Sequence, residues 1–346
     1  MSGAKRAGGG LKGLVSTVGR VLLSAVLLGL LLWMFRAQLP DALARIRAAR
    51  ASYLALALGW YLVFVLISSW RWKILLAARG LHFSTWYLGR VFVLSLFFCK
   101  LLPTSIGGDV FRISYTARPG KAAEAFSATL LDRLIGFVSL LLLAVLVSLG
   151  LFAFSPSARA LELPILGVRF QGFGIAGLLA AGLLLLVLVL LVFFNDRAHR
   201  LAVRLFGRVR FLRLGERLDR VYDAVKQYRH HRGALALSIA TGIGVQAALA
   251  LSWHAVARAI GGTVPLVYYL VFIPLLNIVV NIPTIGGLGV REWAYVLFFT
   301  PEWVPGHLAR ETALAAALLF LALDLVFALA GGLLFAVMRR RAGEND

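Results

Sequence analysis

Hydrophobic positions in this chain gather into runs of membrane-spanning scale. Val21–Phe35, Leu54–Ile67, Phe137–Phe154, Gly172–Phe194 and Leu314–Val337 are of spanning or near-spanning length once their flanks are counted. Leu235–Ala257 predicts a further apolar helix. Two more apolar stretches, 86–124 and 266–300, are interrupted near the middle by related motifs. The first carries Pro103-Thr104-Ser105-Ile106-Gly107-Gly108 and the second Pro283-Thr284-Ile285-Gly286-Gly287, with Arg112 and Arg291 each four residues beyond the last glycine. Proline removes a backbone donor and glycine permits tight backbone, so each motif predicts a chain break. In hydrocarbon such a break is tolerated only where protein or a wet cavity satisfies the freed polar groups.

Positive charge orients the runs. The segment 196–232 is the most basic internal stretch, and it is assigned to the cytoplasm. Leu201, Leu205, Val209 and Leu212 recur in it at helical spacing, as do Leu218, Val221, Val225 and Tyr228, which predicts one or two amphipathic helices on the inner membrane face. Basic residues at both ends, including Lys5, Arg6 and Arg339-Arg340-Arg341, put both termini in the cytoplasm. Leu54–Ser69 then returns to a basic loop bearing Arg71, Lys73 and Arg79. Counting crossings, 86–124 begins and ends inside, whereas 266–300 begins and ends outside. The fold expected is an all-α polytopic membrane protein with an inverted repeat, each half being helix, helix, re-entrant hairpin, helix. Its parts are a basic tail (1–16), a first repeat (17–154, hairpin near 86–124), a second repeat (172–338, amphipathic segment 196–232, hairpin near 266–300) and a short tail (339–346). An uncleaved first helix is preferred to a signal peptide because the repeat requires it.

Composition agrees with a membrane protein: 61% of residues are hydrophobic, 15% are charged, and mean hydropathy is +0.88. A net charge of +21 would suggest nucleic acid in a soluble protein. Here the arginines sit in short loops beside apolar runs, so they mark topology and no nucleic-acid partner is expected. The single cysteine, Cys99, excludes an internal disulfide. The six histidines are scattered, and no glycine-rich phosphate loop carries a lysine. Neither a metal, a cofactor nor nucleotide hydrolysis is therefore expected, and no catalytic residue is assigned.

Charge within apolar segments is costly, which singles out functional candidates. These are Lys100, Asp109 and Arg112 in the first interrupted stretch, and Asn277, Asn281, Arg291 and Glu292 in the second. Asp132, Arg133 and Asp324 lie in the long helices that follow. Arginine forks suit phosphate, and Gly107, Gly108, Gly286 and Gly287 would let a headgroup approach the backbone. The alternatives are that these charges form structural ion pairs and that the glycines are packing points. Trp70, Trp72, Trp86 and Trp293 read as interfacial belt residues.

Four stretches carry a family resemblance. They are Ser69-Trp70-Arg71-Trp72-Lys73, Leu102-Pro103-Thr104-Ser105-Ile106-Gly107-Gly108-Asp109-Val110-Phe111-Arg112, Asp132-Arg133-Leu134-Ile135-Gly136 and Asn281-Ile282-Pro283-Thr284-Ile285-Gly286-Gly287-Leu288-Gly289-Val290-Arg291-Glu292. At these positions the chain resembles the lysylphosphatidylglycerol synthase transmembrane (flippase-like) family. The resemblance implies a bacterial inner-membrane protein that moves lipid headgroups, with membrane phospholipid of anionic or aminoacylated headgroup as its partner. The family often has Glu-Arg where this chain has Asp132-Arg133. The sequence ends at Asp346 without the domain that joins lysine to phosphatidylglycerol, so aminoacyl transfer is not expected. Two other readings stay open. One is an intramembrane lipid-modifying transferase using Asp109, Asp132 or Glu292 as base; the other is an accessory subunit of a separate synthase. A homo-oligomer is also compatible with the sequence.

Overall fold

A computed structural model of the chain describes residues 29–30, 33, 36–101, 107–154, 163–165, 168–170, 174–207, 222–223, 225–228, 230–280 and 288–343. Outside these lie the predicted tail 1–16, most of the predicted first helix, residues 102–106 and 281–287 of the two motifs, and 208–221 of the amphipathic segment.

The chain is overwhelmingly helical. In order, the elements are α1 (Leu39–Arg47), α2 (Ala51–Ala78), α3 (Thr85–Leu101), α4 (Gly107–Thr116), α5 (Ala122–Phe154), α6 (Gly174–Phe194), α7 (Asp196–Gly207), α8 (Arg232–Ala259), α9 (Leu266–Val279), α10 (Val290–Phe299) and α11 (Arg310–Gly343). One departure from an all-helical fold is a small ribbon between α5 and α6, in which β1 (Leu163–Ile165) pairs antiparallel with β2 (Val168–Phe170). Among the described residues, α2, α5, α8 and α11 are long and apolar enough to cross a membrane. At 1.5 Å per residue, the 28 residues of α2 extend about 42 Å against about 30 Å of hydrocarbon. The interrupted stretches form shorter helices: 17 residues in α3, 14 in α9, and 10 in each of α4 and α10.

Helix ends follow from local sequence. α2 and α8, each of 28 residues, close in the same way. Gly80 (φ 69°) and Gly261 (φ 88°) take the left-handed turn after the last helical residues. The next amides then reach back into the final turn, Leu81 N to Leu76 O at 3.0 Å and Gly262 N to Ala257 O at 2.8 Å. This is the glycine-dependent C-terminal cap that satisfies orphan carbonyls. Gly289 (φ 81°) opens α10, and its N–H donates to Glu292 Oε2 at 2.8 Å.

The extent of α2 differs from its prediction. The helix continues two turns beyond Ser69, so Arg71 and Lys73 lie on it and not in a loop. Arg71 is 6% exposed, and Trp72, expected at the interface, is wholly buried. Trp70 and Trp86 are exposed, as a belt position requires.

α2 and α8 pack along most of their lengths in antiparallel fashion. Arg50 N donates to Ala259 O, Ser252 Oγ donates to Ala57 O, and Gly244 faces Ile67, so residue numbers fall on α8 as they rise on α2. Small residues permit this close approach. α3 packs on α11 in the same manner: a side chain at Gly331 would run into the backbone at Val93, and one at Gly332 would meet the Phe97 ring. A large core joins α1, α2, α8, α9, α10 and α11, where Trp253 stacks between Phe320 (3.7 Å) and Tyr295 (4.5 Å). A second core gathers Trp72, Leu75, Leu88, Leu131 and Ile135. Val225 and Tyr228 join it, and Tyr228 Oη donates to Leu75 O at 2.9 Å. That part of the amphipathic segment therefore spends its apolar face on the protein, where the sequence suggested the membrane.

Candidate functional site

Asp132 on α5 is the centre of one buried charge cluster. It accepts from Arg71 Nε at 2.7 Å and from Arg112 Nη2 at 2.8 Å, joining α2, α4 and α5. Asp109, in the first turn of α4, lies 3.6 Å from Arg112 Nη1 and is paired with Arg133. Helix spacing explains the arrangement, since Asp109 and Arg112 are three apart and share a face. The Arg112 guanidinium also covers the Trp72 ring, 4.2 Å from its centroid, an attractive stacking of cation on aromatic face. A side chain at Gly136 or Gly242 would come into contact with the Arg71 guanidinium, and one at Gly242 would also run into Ser139.

Two guanidinium groups, those of Arg71 and Arg112, converge on the single Asp132 carboxylate, and Arg112 and Arg133 share Asp109. Arg71 Nη1, Arg112 Nε and Trp72 Nε1 are buried donors with no partner among the described residues. A buried donor left unmatched costs about 1–3 kcal/mol, more where it belongs to a charged group. The cluster thus offers buried cationic donors to an anion. Arg133, with its side chain 37% exposed, is its outward edge.

Asp324 on α11 is the centre of a second cluster. Tyr61 Oη (2.6 Å), Arg291 Nη1 (2.6 Å) and Lys100 Nζ (2.7 Å) all converge on it. Glu292, with no exposed surface, accepts from Arg291 at 3.1 Å and also caps α10. Among the described residues, Lys100 and Arg291 face Asp324 and Glu292, two charges of each sign. Its four charges come from α3, α10 and α11, with Tyr61 added from α2.

The residues predicted from sequence are thus divided. Asp109, Arg112, Asp132 and Arg133 come together in one cluster, and Arg291 and Glu292 in the other. Asn277 stands apart, donating from Nδ2 to Gln246 Oε1 at 3.2 Å between α9 and α8. Gly107 and Gly108 are buried; at Gly108 a side chain would meet Ser95 O and Cys99 Sγ at 2.5 Å, so α3 occupies that glycine's open face. Asn281, Gly286 and Gly287 lie outside the described residues. Sequence reasoning missed Arg71 and Tyr61 as partners of the two aspartates. Arg71 belongs to the Trp-Arg-Trp stretch already singled out, whereas Tyr61 has no sequence signal beyond a hydroxyl in an apolar run.

No curated protein and no solved structure matches the chain. The family model described as "Lysylphosphatidylglycerol synthase TM region" matches residues 18–332. That span takes in both charge clusters and most or all of each of the four long apolar helices. The chain is therefore a membrane protein that belongs to the lysylphosphatidylglycerol synthase transmembrane-region family.

Proposed function

We propose that this protein is a translocase that moves a lipid or lipid-linked headgroup across a bacterial inner membrane without nucleotide hydrolysis. The observation that carries this reading is the buried Asp132 cluster, whose Arg71 Nη1 and Arg112 Nε have no partner among the described residues. A phosphate is the lipid group that meets this need, through forked hydrogen bonds from arginine. Asp109, Arg112, Asp132 and Arg133 form the receiving site in this reading, with Arg71 added. Asn277, Asn281, Gly286, Gly287, Arg291 and Glu292 belong to the matching region of the other half.

The proposed architecture is an inverted repeat. Its support is the succession of helix lengths, 28, 17, 10 and 33 residues in α2–α5 and 28, 14, 10 and 34 in α8–α11. In both halves the arginine after the motif engages an aspartate on the following long helix. Helices of 10 residues reach only about 15 Å, too short to cross the hydrocarbon, so α3–α4 and α9–α10 act as re-entrant hairpins from opposite faces. Both termini are then cytoplasmic. Tyr61 and Arg71, partners of the two aspartates, lie about 15 Å apart along α2 at 1.5 Å per residue. A headgroup moving between the hairpins would meet polar groups at two depths in place of bare hydrocarbon.

A lipid-modifying transferase fits less well. Asp109, Asp132 and Glu292 are each already engaged by one or two guanidinium groups, so their carboxylate oxygens are committed to ion pairs. The test is reconstitution of the purified protein into liposomes containing a fluorescent phospholipid. Transbilayer movement well above the protein-free rate is expected; movement at the protein-free rate across several headgroups would refute the proposal.

A further inference from the structure

A groove of about 370 Å³ lies between α2 and α8, away from both charge clusters. Tyr53, Leu56 and Trp60 line it from α2, and Leu251, His254 and Arg258 from α8. On each helix these residues recur at i, i+3 and i+7, so two facing stripes form its walls. Tyr53 is about 27 Å from Arg71 along α2 at 1.5 Å per residue, close to the thickness of the hydrocarbon. The groove therefore sits at the N-terminal end of α2, far along the helix from Arg71.

Its walls are graded. Because α2 and α8 are antiparallel, Trp60 and Leu251 meet at the end toward the middle of the bundle. Tyr53 and Arg258 meet at the outer end, where the Arg258 guanidinium carbon is 6.0 Å from the Tyr53 ring centre. Leu56, 49% exposed, opens the apolar part sideways. His254 lies between the two ends, with Tyr269 packed edge-on against its ring at 5.2 Å. Among the described residues Arg258 has no carboxylate partner; its Nη1 makes only a long 3.4 Å bond to Gly262 O. Arg50, whose amide bonds to Ala259 O, adds a second basic residue beside it.

A cationic, hydrogen-bonding outer end above a laterally open apolar slot complements one kind of molecule. We propose that this groove binds a membrane phospholipid with an anionic headgroup, its phosphate on Arg258 and one acyl chain along Leu56, Trp60 and Leu251. Neither Arg258 nor His254 belongs to the charge clusters, so the site stands apart from translocation, and its test reads binding alone.

The test is native mass spectrometry of the purified full chain in detergent, titrated with phosphatidylglycerol, phosphatidylcholine or inorganic phosphate. Phosphatidylglycerol should be retained in preference to phosphatidylcholine. Arg258→Gln should weaken that retention about fivefold, the worth of one basic residue at an anionic lipid surface, and Arg258→Lys should restore most of it. Leu251→Trp fills the slot while leaving Arg258 in place, and the same loss is expected. Unfolding midpoints equal to wild type confirm that the variants are folded; Arg258 is exposed, so its replacement leaves the core intact. Equal phosphatidylglycerol retention by wild type and both disabling variants overturns the proposal. Saturation by inorganic phosphate that abolishes lipid retention overturns it too, since the site would then be for a free anion.

Discussion

Lys100 Nζ and Asp324 Oδ2 lie 2.7 Å apart, joining a helix of the first half to the last long helix of the second. Lys100 stands at the end of α3 just before the first motif, and Asp324 also holds Arg291 and Tyr61. One carboxylate thus fixes three elements against α11. Removing the carboxylate takes away the counter-charge that Lys100 and Arg291 share and leaves Arg291 to Glu292, whereas removing one donor leaves the others in place. Asp324→Ala should therefore destabilise by about 3–5 kcal/mol. Tyr61→Phe, which deletes one neutral donor, should cost about 1 kcal/mol. Thermal unfolding in detergent measures both, and an Asp324→Ala cost no greater than that of Tyr61→Phe would contradict the assignment.

Asp132 predicts non-additivity. Asp132→Asn removes the carboxylate that Arg71 and Arg112 share and leaves Arg112 only Asp109 at 3.6 Å, a loss of about 3–5 kcal/mol. Once Arg71 has become Gln, the same change strands one guanidinium fewer. The double variant Arg71→Gln/Asp132→Asn should therefore be more stable than the two single losses added together, by about 1 kcal/mol or more. A double-mutant cycle on unfolding midpoints reads this directly, and strict additivity would mean that the pair does not interact.

Two glycines give a contrast in packing. At Gly108 even a methyl group would press on Ser95 O, so Gly108→Ala should destabilise by about 1–3 kcal/mol. At Gly59, on α2, a methyl group would meet nothing within 4 Å, so Gly59→Ala should be neutral or slightly stabilising. Unfolding measurements on the two variants side by side decide whether the glycine of the first motif is a packing point between α3 and α4.

Much of this arrangement is legible in the sequence, and the exceptions have a common cause. Apolar runs announce long helices because hydrocarbon demands them, and Leu54–Ile67 and Leu314–Val337 fall inside α2 and α11. Asp109, Arg112, Asp132 and Arg133 stand out because charge in an apolar segment is costly, and they do meet in one cluster. Arg71 reads as the start of a loop because basic residues ordinarily end a span. α2 carries it into the interior because Asp132, 61 residues away, neutralises it. Trp72 is buried for the same reason, under the guanidinium that Asp132 holds. Such partners are long-range, and no local pattern announces them. Tyr61 is the extreme case: only its 2.6 Å bond to Asp324 distinguishes it from its apolar neighbours.

The proposed handling of a moving lipid's phosphate by the Asp132 cluster is tested most directly by transbilayer movement of labelled phospholipid in proteoliposomes, comparing wild type with Arg112→Gln at equal, folded incorporation. Movement well above the protein-free rate is expected for wild type, with a fall of about tenfold or more in Arg112→Gln, the loss of one charge-assisted phosphate contact. Equal movement by the two proteins would contradict it.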